Sequence, residues 1–190
     1  MLCLDDSLVI GKGASRVCYR HPHSTDKCIK VPFADKNQTQ VLECEYFMHL
    51  ESTLRSWKHI SRYYGEIDTN MGVGYEYEFI RDFDNAASLP LSDYLSLKPS
   101  LNIELDILVE SLAELKRYLL ENRIILRNIR PYNILFKRSN TQEGVAVIID
   151  NFGHHNKKFH LSDRVAYLAR KDIEKKWRKF ESLLQKQVAI

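Results

Sequence analysis

Two residues with hard oxygen donors stand close together in the second half of this 190-residue chain. They are Asn133, in Arg130-Pro131-Tyr132-Asn133-Ile134-Leu135, and Asp150, in Ile148-Ile149-Asp150-Asn151-Phe152-Gly153. A side-chain carbonyl and a carboxylate suit Mg²⁺, with phosphate oxygens and water completing its shell. Upstream, Gly11-Lys12-Gly13-Ala14-Ser15-Arg16-Val17-Cys18 is a glycine turn in which missing Cβ atoms allow a phosphate to approach the backbone and exposed N–H groups supply positive dipole. Arg16 in that turn either contacts a phosphate or fills the space a phosphate needs. Lys30, closing Lys27-Cys28-Ile29-Lys30, would neutralise phosphate charge, with Glu43 as its expected partner and Glu45 as the alternative. Each feature alone reads as a plain turn, an edge lysine or a helix acid. In this order they point to a nucleotide phosphate chain and its magnesium.

The elements that must position these residues follow from spacing. Residues 7–32 alternate short apolar runs with turn signals and predict three antiparallel strands, with Lys30 on the third. From Gln38 to Leu54, Glu43, Phe47, Leu50 and Leu54 recur at helical spacing, which places Glu43 on an inward stripe where a lone carboxylate is costly. Tyr63–Ile67 and Gly74–Ile80, with Asn70-Met71-Gly72 as the turn, complete five strands and one helix. A polar stretch from Arg81 to Pro90 reads as a hinge, and Ser92 as the cap of a short helix over 91–95. The spacing of Leu105, Leu108, Leu112, Leu115 and Leu119 predicts a core helix over 103–121 capped by Asn102. A hairpin of Ile134-Leu135-Phe136 and Val145–Ile149 would deliver Asp150 at a strand end. The tail, 163–187, reads as one or two helices with Ile173, Trp177, Phe180 and Leu184 on one face.

Composition bounds the rest. With 44% hydrophobic and 28% charged residues and no long apolar run, the chain reads as globular without a membrane span. The first residues, Met1-Leu2-Cys3-Leu4-Asp5-Asp6, carry no basic and apolar leader pattern, so a cytoplasmic location is expected. Cys3, Cys18, Cys28 and Cys44 lack metal or disulfide spacing and are expected to be reduced, buried small hydrophobes. A net charge of +3 is too small to imply nucleic acid. His154, His155 and His160 with Lys157 and Lys158 read as a solvated loop rather than a metal site. The tail cations Arg170, Lys171, Lys175, Lys176, Arg178 and Lys179 read as the wet face of a helix docked through Trp177 and Phe180.

The ordered set resembles the protein-kinase-like fold. Leu126-Arg127-Asn128-Ile129-Arg130-Pro131-Tyr132-Asn133 has the layout of the kinase H-R-D-x-x-x-x-N loop, and the turn at Asp150 that of D-F-G. Closer still, Gly11-Lys12-Gly13, Cys28-Ile29-Lys30-Val31, Tyr46–Leu50, Gly74-Tyr75, Leu115–Leu119, Asn122-Arg123-Ile124, Pro131–Leu135, Asp150-Asn151 and Trp177–Phe180 resemble the YrbL family, the PhoP regulatory network proteins. The resemblance implies an α+β, bilobal fold. Its N-lobe, 1–81, would hold a five-stranded antiparallel sheet and one helix, and 82–190 would be a shortened helical C-lobe. It implies ATP or a related nucleotide with Mg²⁺, held by Gly11, Gly13, Arg16, Lys30 and Glu43 on one side and Asn133 and Asp150 on the other.

Asn128 then occupies the place of the catalytic base. An amide keeps the size and hydrogen bonding of a carboxylate but takes no proton at neutral pH, a loss of roughly 10²- to 10⁴-fold in rate. Leu126 also stands where the loop histidine would be, and only 37 residues follow Gly153, little room for a protein-substrate platform. The preferred expectation is a pseudokinase that binds Mg-nucleotide and acts through a regulatory protein partner. Two alternatives stand beside it: a minimal kinase for a small molecule or carbohydrate, and an interaction scaffold without nucleotide.

Overall fold

The computed structural model describes residues 1–96, 105–154 and 166–188. The chain separates into two compact units, Met1–Thr53 with Ser61–Ile80, and Leu54–Ile60 with Arg81–Ile190. The segment Leu54–Ile60 therefore groups with the second unit, although it precedes the last two strands of the first.

The first unit is one antiparallel sheet and one helix. Its strands are β1 (Val9–Lys12), β2 (Arg16–Arg20), β3 (Lys27–Pro32), β4 (Tyr63–Thr69) and β5 (Gly72–Glu78), in the order β1-β2-β3-β5-β4. The helix is α1 (Asn37–Thr53). Period-two alternation sends Ile29 and Val31 to one face of β3, where they pack with Leu4 and Tyr19, and Cys28 and Lys30 to the other. Leu4 is tied there by Asn70, whose side chain accepts from Leu4 N at 2.7 Å and donates to Leu4 O at 2.9 Å. On the second face α1 packs through aromatic rings, with Phe47 5.6 Å from Tyr77 and Tyr63 5.2 Å from Tyr77 between centroids. Gly74 is required by packing, because a Cβ there would sit 2.6 Å from Ile29 Cγ2.

The second unit carries β6 (Leu89–Pro90), β7 (Ile134–Arg138) and β8 (Gly144–Ile148) in one antiparallel sheet. Among the described residues its helices are α2 (Leu91–Ser96), α3 (Leu105–Asn122) and α4 (Ala166–Val188). Leu108, Leu115 and Leu119 of α3 are buried, as are Ala169, Ile173, Trp177 and Phe180 of α4. The segment 54–60 is bound to this unit by polar groups: His59 Nδ1 lies 2.9 Å from Ala146 O, and Tyr118 OH donates to Ser56 O at 2.6 Å. Asp82 is buried and saturated, accepting from Ser88 Oγ at 2.5 Å, Arg138 N at 3.0 Å and Arg138 Nε at 2.5 Å. That cluster pins the polar stretch after residue 80 to β7.

Several expectations change. Ser92 lies inside α2, which begins at Leu91, so its hydroxyl donates to Asp93 instead of capping. Leu105 begins α3 and is 52% exposed, because the first turn of a helix can extend past the surface it packs on. Cys3 is exposed and Cys18 half-buried, so only Cys28 and Cys44 are buried thiols; none of the four is in a disulfide. Asn102, His155, His160, Lys157 and Lys158 lie outside the described residues. No helix among the described residues is long and apolar enough to cross a membrane.

Candidate functional site

In the first unit the glycine turn closes β1 on β2, with Gly13 N donating to Arg16 O at 2.9 Å. Neither Gly11 nor Gly13 lies in the left-handed region; a Cβ on Gly11 would meet nothing, and one on Gly13 only an ordinary contact. The fold itself therefore makes no demand for glycine at either position. Both stay exposed at the strand ends.

Lys30 lies on the α1-facing side of the sheet, paired in register with Cys18 on β2 and Tyr75 on β5. It is 6% exposed, with Nζ 4.0 Å above the ring of Tyr77. Glu43 is fully buried and accepts from Arg16 Nη2 at 3.1 and 3.2 Å through its two oxygens, and from Tyr77 OH at 3.2 Å. Arg16, two residues before Cys18 and so on the same strand face, is 8% exposed and also donates through Nη1 to Gln40 Oε1. Gln40 Nε2 in turn donates to Tyr77 OH at 2.8 Å. Burial, and secondarily the Glu43 carboxylate, pushes the Tyr77 hydroxyl well above its ordinary value, so it stays protonated and remains a donor. The structure thus brings Arg16, Lys30 and Glu43 together around Tyr77, with Arg16 directed at α1; Glu45 is exposed. Gln40 and Tyr77 were missed in the sequence. Their signals were there: Gln40 precedes Glu43 by one helical turn, and Tyr77 alternates with Tyr75 on a strand.

In the second unit the loop at 125–133 and the turn at 150–153 are laced together by backbone. Arg127 N donates to Asn151 O at 2.7 Å and Gly153 N to Ile125 O at 2.9 Å. Leu126 and Phe152 form a bridge and are both buried. Arg127, 9% exposed, adds a bond from Nη1 to Phe152 O at 2.7 Å. Pro131 starts a single 3₁₀ turn over Pro131–Asn133, a position where its missing N–H costs nothing. Ile149 N then donates to Asn133 O at 3.0 Å, which sets Asn133 beside the residue that precedes Asp150. Both side chains are half-buried, as is Asn128. Asp150 Oδ1 accepts from Asn151 N at 2.6 Å, and Asn151 Nδ2 donates to Asn128 Oδ1 at 2.9 Å. Asn151 was also missed; Asn immediately before Phe-Gly was the available signal.

The donor set of Asn133 and Asp150 suits a hard cation that keeps water and ligand oxygens in its shell. Among the described residues no group of three His, Cys, Asp or Glu could hold a metal unaided. Asn133 and Asp150 would hold Mg²⁺ together with phosphate oxygens and water, and what Mg²⁺ would supply there is neutralisation of phosphate charge. The amide at 128 offers no base.

Comparison with known proteins gives the family and the fold. The family model for the PhoP regulatory network protein YrbL matches residues 2–185. An uncharacterized protein YrbL of Escherichia coli K12 is 36% identical over 158 residues, which is 80% of this chain and 74% of that protein, and the YrbL of Shigella flexneri matches to the same extent. Among solved structures, a double mutant of the PknI kinase domain of Mycobacterium tuberculosis superposes with a TM-score of 0.50 at 11% identity. It covers 75% of this chain, while the chain spans 58% of the kinase domain's length. At that identity the likeness establishes the protein-kinase-like fold and nothing further. From residue 2 to residue 185 the chain belongs to the YrbL family of PhoP regulatory network proteins.

Proposed function

We propose that this protein is a pseudokinase: it binds a magnesium nucleotide and acts in its regulatory network through a protein partner, with little or no phosphotransfer. The observation that carries the reading is the contrast between positions 133 and 150 and position 128. The Ile149–Asn133 bond holds the backbone of Asn133 beside the residue that precedes Asp150, while Asn128, at the base position, is an amide already hydrogen-bonded to Asn151. The metal-ligand chemistry is kept and the proton acceptor is replaced.

The first unit supports the same reading by itself. Gly11 and Gly13 are glycines that the fold does not require, as expected where the backbone must admit a phosphate. Lys30 stands on the adjoining strand pair with its ammonium held over Tyr77. In this reading Lys30 and the glycine turn take the phosphates, Glu43 and Arg16 hold α1 to the sheet, and Asn133 and Asp150 take the magnesium.

A thermal-shift series with ATP, ADP and GTP, each with Mg²⁺ and with EDTA, tests the reading, since a ligand that binds the folded state stabilises it by RT ln(1 + [L]/Kd). A nucleotide-dependent rise in Tm that is larger with Mg²⁺ is expected. No rise with any of them would refute it.

A further inference from the structure

Asn151 makes three bonds that converge on the candidate metal turn. Its N–H donates to Asp150 Oδ1 at 2.6 Å, its carbonyl accepts from Arg127 N at 2.7 Å, and its Nδ2 donates to Asn128 Oδ1 at 2.9 Å. These bonds are made from a backbone at φ 71°, in the left-handed region, where asparagine is among the few side chains tolerated. The conformation and the side-chain bond therefore select the same residue type. Glycine would satisfy the first alone, and most other residues neither.

We infer that Asn151 is the positioning residue of this turn: its side chain ties the turn that carries Asp150 to the loop that carries Asn128 and Asn133, and fixes which end of the Asn128 amide a ligand meets. Asn128 Oδ1 is engaged by Asn151, so the other branch of the amide, Nδ2, is the one left to face an incoming group. Position 128 then offers hydrogen-bond donors where a base would offer an acceptor. Its chemistry suits a phosphate oxygen and takes no proton from the hydroxyl of a phosphate acceptor. The ligand in this inference rests on the Mg-nucleotide reading; the positioning itself rests on the bonds alone.

Two readouts separate the two. The first is the magnesium gain, the ratio of ATP dissociation constants in EDTA and in Mg²⁺, measured by calorimetry on the full chain. Groups that orient a metal ligand commonly contribute 10- to 100-fold to metal affinity. Asn151→Gly keeps the left-handed backbone and the N–H bond to Asp150 but deletes the side-chain tie between this turn and the loop that carries Asn133; its magnesium gain should fall about tenfold or more. Asn151→Asp also tolerates the backbone and can accept from Asn128 Nδ2, so it should retain most of the gain. A wild-type gain in Asn151→Gly would overturn the inference.

The second readout needs no nucleotide. In protein labelled with ¹⁵N-asparagine, the Asn128 side-chain amide peak, identified by its loss in Asn128→Asp, should move in both Asn151 variants. An unmoved peak would overturn the positioning role. If the wild type binds no ATP, the functional reading falls and this peak alone decides the inference. If Asn151→Gly does not fold, Asn151→Asp decides it, because reversal of the Asn128 amide must shift the same peak.

Discussion

Replacing Arg16 by methionine removes the guanidinium and keeps most of the apolar stem. Glu43 is fully buried and Arg16 8% exposed, so the change leaves a carboxylate in the interior with a cation withdrawn. Breaking such a pair from one side costs about 3–5 kcal/mol, against the ~0–1 kcal/mol typical of exposed pairs. For a chain of this size that corresponds to roughly 6–20 °C in Tm. Removing both charges, in Arg16→Met with Glu43→Leu, should recover most of the loss, since the buried carboxylate goes too. Gln40 loses a donor and Tyr77 an acceptor, so a deficit of about 1–2 kcal/mol should remain. Trp57 and Trp177 both lie in the second unit, so tryptophan fluorescence does not follow this event. Hydrogen exchange of peptides spanning Asn37–Thr53 does, and the double-mutant cycle read from it gives the coupling. A single-variant cost below about 1 kcal/mol, or a double variant equal to the sum of its parts, would refute the reasoning.

Three further outcomes follow from the packing and the titrating groups. Gly74→Ala, whose new methyl would lie 2.6 Å from Ile29 Cγ2 and 3.0 Å from Thr69 Cγ2, should cost about 1–3 kcal/mol by urea unfolding; an unchanged midpoint would show that the sheet yields freely. Asp82→Ala, which strips Ser88 and Arg138 of their shared acceptor, should destabilise the second unit by about 2–4 kcal/mol, and Asp82→Asn, which can still accept from Ser88, by less; equal losses would contradict the acceptor role. Burial holds the His59 imidazole below its ordinary value of 6.5, so the unfolded chain takes the proton first as pH falls. The contribution of His59 is therefore complete above about pH 6.5 and declines below it. His59→Asn, which can still donate to Ala146 O, should flatten that decline in Tm between pH 7 and 5, leaving the smaller slope expected from His21, which burial shifts in the same direction; an identical profile would contradict it.

The sheet and its helix were legible because their signals are local. Alternation in β2 and β3 and the Glu43–Phe47–Leu50 spacing each report one buried face, and the five-stranded order and α1 follow. What the spacing could not convey was that Arg16 meets Glu43. Lys30 and Arg16 lie on neighbouring strands of one face, and the reach of a guanidinium across β2 to α1 depends on the β2–β3 register, which no single segment encodes. Gln40 and Tyr77 were overlooked for the same reason: each is an ordinary helix or strand residue until the two elements are packed. At the turn, attention to Asp150 as a carboxylate passed over Asn151, whose part depends on a positive φ and on a loop more than twenty residues earlier in the chain. The attachment of Leu54–Ile60 to the second unit was likewise hidden, because it rests on His59 and Tyr118 meeting backbone carbonyls.

The most direct test of the central claim is calorimetric titration of ATP into the full chain in Mg²⁺, run beside Asp150→Asn. Saturable binding to one site, weakened about tenfold or more by Asp150→Asn and by EDTA, is the predicted result. Absence of binding, or binding that ignores both Asp150 and magnesium, would contradict it.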